Sequence, residues 1–440
     1  MSDIEWPKTI SEWRDRSWNP EGSRPYDLWK REPLRDFFRQ NGYILWHSEH
    51  ELGISTGSVE LIPPSDAPRR PDGYTFVTRY QCQPGIVIYK ANFGQVKNIH
   101  CTARTIHNQD VVIRLISIDG DATGDEHYKA IRRLSAGPTA FRGDNHALPL
   151  LNELEFNGLR FVVFPLLSIG GPWLPWYYNA DEILDYLSQI FQGVKFCHDN
   201  LIAHLLCPLI VVADLDGDNI LCNFQGHRTQ PDGTFDLSIV GPFRSHFPVR
   251  YHINDFETAV CFDKDSDPAS RKITGLPNVR VGRIGQYGRE YAPEMLIDEP
   301  YCPFKADVWY LGRMLNFDMD TNIKGFVEKH LKAFREDFSF DEVFGKYFAQ
   351  DTVQPEEIMQ VFDEYTCKCN EVEGTFPNET MKLALSLLVM IAQMRLSNPA
   401  LRPDMAQLLD TVLALRKSSS HEVLSDYIGI QQREVKWEKW

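Results

Sequence analysis

The feature that most limits what this chain can fold into is a change of hydrophobic period at Pro165. Before it, from about residue 76, short β-type runs dominate, among them Gly85 to Tyr89, Val111 to Ile116 and Arg160 to Phe164. One helical stretch, around Glu126 to Leu134, interrupts them. After Pro165 the stretch Asp181 to His198 places Ile183, Leu184, Leu187, Ile190, Phe191 and Val194 at helical spacing, with Asn179 available as its cap. Further helical patterns lie at Lys305 to Leu315, Ile323 to Phe334, Thr380 to Leu396 and Met405 to Lys417. A small sheet carrying one helix, followed by a mainly helical half, is an α+β arrangement in two parts.

The flanks read differently. Residues 1–75 are rich in Trp, Pro and Arg, hold a helix candidate near Pro33 to Asn41, and end in the linker-like run Pro63-Pro64-Ser65-Asp66-Ala67-Pro68. They are expected to be an appended segment whose Trp and Arg content suits docking onto the rest, with the sheet part at 76–165, the helical part at 166–417 and a tail at 418–440. With 46 basic against 61 acidic side chains the net charge is −15, which repels phosphate backbones and argues against a nucleic-acid partner. No apolar run approaches the roughly 18 residues of a membrane span. The acidic start Met1-Ser2-Asp3-Ile4-Glu5 reads as neither a secretory nor a mitochondrial signal. Nine scattered cysteines, with Cys367 and Cys369 the only close pair, fit reduced thiols better than a zinc ribbon. An intracellular protein, cytoplasmic or nuclear, is the expectation.

The punctuation is more specific than the composition. Val111-Val112-Ile113-Arg114 comes first, then Glu126 on the following helix, Asn145-His146-Ala147-Leu148-Pro149, and Phe161-Val162-Val163-Phe164-Pro165-Leu166. Phe196-Cys197-His198, Ile202-Ala203-His204, Asp255-Phe256-Glu257, Tyr291-Ala292-Pro293-Glu294, Asp307-Val308-Trp309-Tyr310-Leu311-Gly312 and Leu401-Arg402-Pro403 follow. That order resembles a protein kinase. More narrowly, the chain resembles the expanded kinase-like family of mushroom-forming (basidiomycete) fungi. Trp13-Arg14-Asp15-Arg16, Asn41-Gly42-Tyr43, the Asn145 to Pro149 run, Gln189-Ile190-Phe191-Gln192-Gly193 and Pro248-Val249-Arg250-Tyr251 carry that likeness. The resemblance implies a bilobal kinase-like fold, with a small N-lobe antiparallel sheet bearing one helix and a larger helical C-lobe. Fold leaves activity open.

Phosphoryl transfer needs phosphates held still, magnesium, and a carboxylate that orients the acceptor hydroxyl. Between Lys90 and Thr102 there is only one glycine, Gly94, a poor phosphate cradle. Arg114 stands where the resemblance implies a phosphate-binding lysine, and its forked guanidinium suits a different geometry. It is expected either to contact nucleotide or to pair with Glu126, although the helical spacing equally allows His127 on the inward face. The resemblance implies that Phe164 to Leu166 run into the hinge, with nucleotide between them and Asp255. The register of His198 to His204 puts Leu206 at the base position and Val211 at that of a metal-binding asparagine, and neither side chain can do that chemistry. A second register is open: Asp214 and Asn219 reproduce the base-to-asparagine spacing if an eight-residue bulge follows His204. Otherwise the run from Asp214 to Asn219 is a solvated turn. Asp255 keeps the aspartate that the resemblance implies for magnesium. Glu294, Asp307 and Arg402 read as architecture of the helical half.

Two functions follow as expectations. One is a catalytically impaired pseudokinase that acts through protein partners, with weak ATP and Mg2+ binding open. The other is an active ATP-dependent Ser/Thr-type kinase using Asp214, Asn219 and Asp255.

Overall fold

The computed structural model describes residues 6–17, 27–45, 54–55, 80–83, 86–88, 93–94, 99–107, 109–169, 179–205, 210–211, 214–215, 219–223, 248–277, 290–332, 336–348, 354–367 and 378–426. Three short helices, α1 (Ile10–Ser17), α2 (Asp27–Lys30) and α3 (Glu32–Gln40), lead into strand β1 (Tyr43–Leu45). Pro33 starts α3, and Gly42, at a φ of 85° that favours glycine, turns the chain from α3 into β1. Four short strands follow: β2 (Ile54–Ser55), β3 (Tyr80–Gln83), β4 (Ile86–Ile88) and β5 (Phe93–Gly94), pairing β2 with β5 and β3 with β4. Gly94, sought as part of a phosphate cradle, lies in β5 opposite Ile54.

Next come β6 (His100–Thr105), β7 (Asp110–Ile118), helix α4 (Asp125–Leu134), β8 (Asn152–Phe156) and β9 (Leu159–Pro165). Five strands form one antiparallel sheet in the order β1-β6-β7-β9-β8. Side chains alternate between its faces, so the two faces have separate covers. Cys101, Ala103, Val111, Ile113, Leu115, Phe161 and Val163 pack with Trp13, Leu28, Trp29, Leu34 and Phe38 of the N-terminal helices. On the opposite face Ile116, Val162 and Phe164 pack with Ile131 of α4, Leu148 and Leu167.

The boundary expected at residue 75 therefore does not divide the packing. The first 45 residues supply both an edge strand and the cover for one face of the sheet. Tyr43 and Leu45 in β1 and the Trp and Phe side chains of the helices all need an apolar surface, and β6 and β7 present one.

The remaining strands are short: β10 (Ser168–Ile169), β11 (Ile202–Ala203), β12 (Ile210–Val211), β13 (Asp214–Leu215), β14 (Ile220–Cys222), β15 (Tyr251–Ile253) and β16 (Val260–Cys261). Helix α5 (Ala180–Asp199) precedes β11, and its cap is the expected one, with the Asn179 side chain accepting from the Glu182 N–H at 3.0 Å. The larger hydrophobic core gathers around α5 and the later helices α6 (Pro303–Leu315), α7 (Thr321–Lys332), α8 (Phe340–Phe348), α9 (Pro355–Cys367), α10 (Asn378–Met394) and α11 (Met405–Ser418). Gly193 lets α5 lie close to its neighbours, since a Cβ there would come within 2.7 Å of His146 Cβ. The run around Asn145 ties the sheet part to the segment around β15: the Asn145 carbonyl accepts from Arg250 at 2.8 Å, and Leu148 N–H donates to the Ile253 carbonyl at 2.9 Å. No helix among the described residues is long and apolar enough to cross a membrane.

Trp13 is fully buried between Trp6, Trp29 and Phe161. Its replacement by Ala is expected to destabilise the protein by about 3–5 kcal/mol, measured by urea denaturation. A truly appended segment would leave the midpoint of the main transition unchanged.

Candidate functional site

The centre of the site is a guanidinium buried on the helix-covered face of the sheet. Arg114 lies in β7 opposite His100 of β6 on one side and Val162 of β9 on the other, and it is 3% exposed. A charge in such a place requires counter-charges within a few ångströms. They come from the segment after β15. Arg114 Nη2 lies 2.9 Å from Asp255 Oδ1 and 3.2 Å from Glu257 Oε2. A second cation completes the cluster: Arg14 of α1 donates to Glu257 Oε1 at 2.5 Å, across 243 residues of sequence.

Backbone geometry lets both carboxylates reach one arginine. Asp255 sits in the left-handed region at φ 62° and ψ 65°, and a 3₁₀ turn at Phe256–Thr258 follows it. Phe256 is buried in that turn, its ring 4.5 Å from that of His204. A non-glycine residue in this conformation costs about 1–3 kcal/mol, and it persists where its surroundings over-determine it.

Helix α4 corrects one expectation. His127, Ala130, Ile131 and Leu134 are its buried residues, at the spacing of a single helical face. Glu126, one position away, turns about 100° off that face. It does not pair with Arg114: its Oε2 accepts from the Cys261 N–H at 3.1 Å, and Oε1 lies 3.8 Å from Lys129. Arg133 adds to the same attachment, donating to the carbonyls of Asn200 at 3.1 Å and Phe262 at 2.8 Å. The inward residue is His127. Burial, then the Arg114 charge, drives its pKa down to about 3. His100 is held well below the ordinary histidine range by the same two causes in the same order. Burial also lowers His204.

The segment expected to be a catalytic loop is anchored by Asp307 of α6, which is fully buried. Its Oδ2 accepts from the His204 N–H at 2.8 Å and lies 2.9 Å from His198 Nε2, and its Oδ1 accepts from the Leu205 N–H. Leu205 is held at φ 54° and Leu201 at φ 58°, left-handed conformations that a bulky residue seldom adopts. The His204 ring bonds through Nε2 to the Asn254 carbonyl at 2.9 Å.

Leu206 lies outside the described residues. Val211 of β12 is paired in register with Asp214 of β13, so these residues form a small hairpin. The side chain of Asp214 lies outside the described residues, as does that of Val211. Asn219 precedes β14, whose Ile220 lies opposite Ile253 of β15, and its carbonyl accepts from the Asn254 N–H at 2.8 Å. It therefore reaches the strand end that leads into Asp255. Phe164 and Leu166, expected beside a nucleotide, are both buried, and Phe164 packs with Ile116, Ile131 and Val162. Glu294 forms a two-pronged pair with buried Arg402, at 2.6 and 2.8 Å, and this is architecture as expected.

Arg14 and Glu257 were the residues whose roles could not be read from spacing. The Trp13-Arg14-Asp15-Arg16 run marks the segment, but nothing local names a partner so far along the chain. Among the described residues no group of three or more His, Cys, Asp or Glu side chains is arranged to hold a metal ion. Magnesium asks for near-octahedral oxygen ligands at about 2.0–2.1 Å. Here both carboxylates of the Asp255 segment are engaged by guanidinium groups, so these residues do not fit a preformed magnesium site. Compared with protein-family models and with curated proteins, the chain matches none.

Two outcomes are expected. His127 and His252 are both lowered to about 3, chiefly by burial, from an unfolded value near 6.5. The unfolded chain therefore binds more protons between those values, and stability present above about pH 6.5 is lost as the pH falls towards 3. Melting curves from pH 7.5 to 4.5 should show a fall of roughly 1 kcal/mol per pH unit for each histidine, with a shallower slope in His127→Gln. Asp307→Ala strands two backbone donors and should cost about 2–6 kcal/mol in denaturant titration.

Proposed function

We propose that this chain is a protein-kinase-like pseudoenzyme with a bilobal fold, catalytically impaired and acting inside the cell as an interaction or regulatory module for protein partners. The observation that carries the reading is the ion pair between Arg114 and Asp255, 2.9 Å apart. Under the kinase resemblance, Arg114 replaces the lysine that would touch nucleotide phosphates, and Asp255 is the carboxylate that would hold magnesium. Each satisfies the other, so neither is poised for its former ligand. ATP and Mg2+ bind, on this reading, only weakly, since binding must break a buried pair.

Three further observations support the reading. A five-stranded antiparallel sheet with one helix on its inner face stands against a helical body. The buried aspartate of α6 holds the backbone at His204 and Leu205. The Glu294–Arg402 pair lies within that helical body. These are scaffolding parts, which can outlast catalysis.

A second reading, an active ATP-dependent Ser/Thr-type kinase using Asp214, Asn219 and Asp255, is favoured by one observation. The Asn219 carbonyl bonds to Asn254, next to Asp255.

Calorimetry and thermal shift with Mg-ATP separate the two, with Asp255→Ala as control. Impairment predicts that 1 mM Mg-ATP stabilises the protein by less than about 0.4 kcal/mol, the value reached when ligand equals its Kd, and that no phosphate is transferred to protein acceptors. Transfer abolished by Asp214→Ala would establish the kinase instead.

A further inference from the structure

The four linked side chains, Arg14, Arg114, Asp255 and Glu257, carry two positive and two negative charges. Glu257 is shared: one oxygen faces Arg14 at 2.5 Å and the other faces Arg114 at 3.2 Å. Because Arg14 neutralises Glu257, Arg114 can also engage Asp255, whose side chain is 32% exposed and is the most open member of the group. The arm that brings Arg14 here is firmly seated. Asp121 Oδ2 accepts from the Ile10 N–H at 2.7 Å at the start of α1, and Trp13 beside Arg14 is fully buried.

We propose that Arg14 and Arg114 are built-in counter-cations that hold the Asp255–Glu257 turn and keep divalent ions off Asp255, making the N-terminal helix a working part of the site. The arrangement deepens the pseudoenzyme reading by naming what occupies the metal's place. Two fixed guanidinium groups neutralise the carboxylates without the dehydration that magnesium resists. Removing the Arg14 charge takes away one of the two guanidinium groups while both carboxylates stay. A divalent cation then has a more favourable place beside the half-buried carboxylate of Asp255.

The test uses the full chain and Mn2+ as probe, without nucleotide, read by electron paramagnetic resonance of free Mn2+ and by melting curves. Wild type is expected to show no saturable Mn2+ binding below about 1 mM, and a melting midpoint that EDTA does not change. Arg14→Gln should melt lower and bind Mn2+ at least tenfold more tightly, and adding Asp255→Asn should abolish that gain. Arg14→Lys, which keeps the charge, should behave as wild type towards Mn2+. Arg14→Gln combined with Glu257→Gln should recover most of the lost midpoint, because neither charge is then left without its partner. Equal Mn2+ affinity in wild type and Arg14→Gln, or additive midpoint losses for Arg14→Gln and Glu257→Gln, would overturn the proposal. Its failure is distinct from failure of the pseudoenzyme reading, which is decided by phosphate transfer from ATP.

Discussion

A buried guanidinium on a central strand constrains everything built around it. Arg114 sits on a sheet face otherwise lined by Ile116, Val162 and Phe164, and an unpaired charge there would be prohibitively unfavourable. Counter-charges have to be delivered from elsewhere, and they come from a turn more than a hundred residues later. This fixes how the segment after β15 approaches the sheet and why Asp255 accepts a left-handed backbone. It also explains the low basicity of His100 and His127, which burial and the neighbouring Arg114 charge keep neutral.

The polar anchors on the helical side follow the same logic. Asp307 satisfies the backbone where the chain passes through His204 into a left-handed Leu205. Such anchoring keeps a loop in a set shape whatever side chains it carries. Under the proposed pseudoenzyme reading, that separates the framework of the loop from its chemistry.

Much of the fold was legible in the sequence. The helix capped by Asn179 and the strands around Val111 to Ile116 and Arg160 to Phe164 lie close to where periodicity puts them, since period and caps are local properties. The misreadings concern choices between neighbours or partners distant in sequence. Glu126 and His127 are adjacent, and only the packing of α4 against the sheet decides which points inward. Arg14 and Glu257 meet through tertiary structure alone. The linker-like run at Pro63 to Pro68 suggested a boundary, but β1 and the Trp-bearing helices before it bury their apolar faces against β6, β7 and β9. The two registers after His204 differ by an insertion, which sequence spacing cannot choose between; the pairing of β14 with β15 sets the Asn219 carbonyl against the Asn254 N–H.

The edge position of β1 has a consequence for how the chain reaches its final state. β6 and β7 are joined by a short turn, but β1 meets β6 only after the chain between Leu45 and His100 has closed on itself. Closing a long loop is entropically unfavourable and slow relative to local hairpin formation. Loop closure alone therefore favours pairing of β6 with β7 ahead of the joining of β1 to the edge. The contact between Arg14 and Glu257 spans 243 residues, so the charge group around Arg114 is complete only when segments far apart in the chain have come together. Completion of this charge group thus depends on contacts of the highest sequence separation in the site.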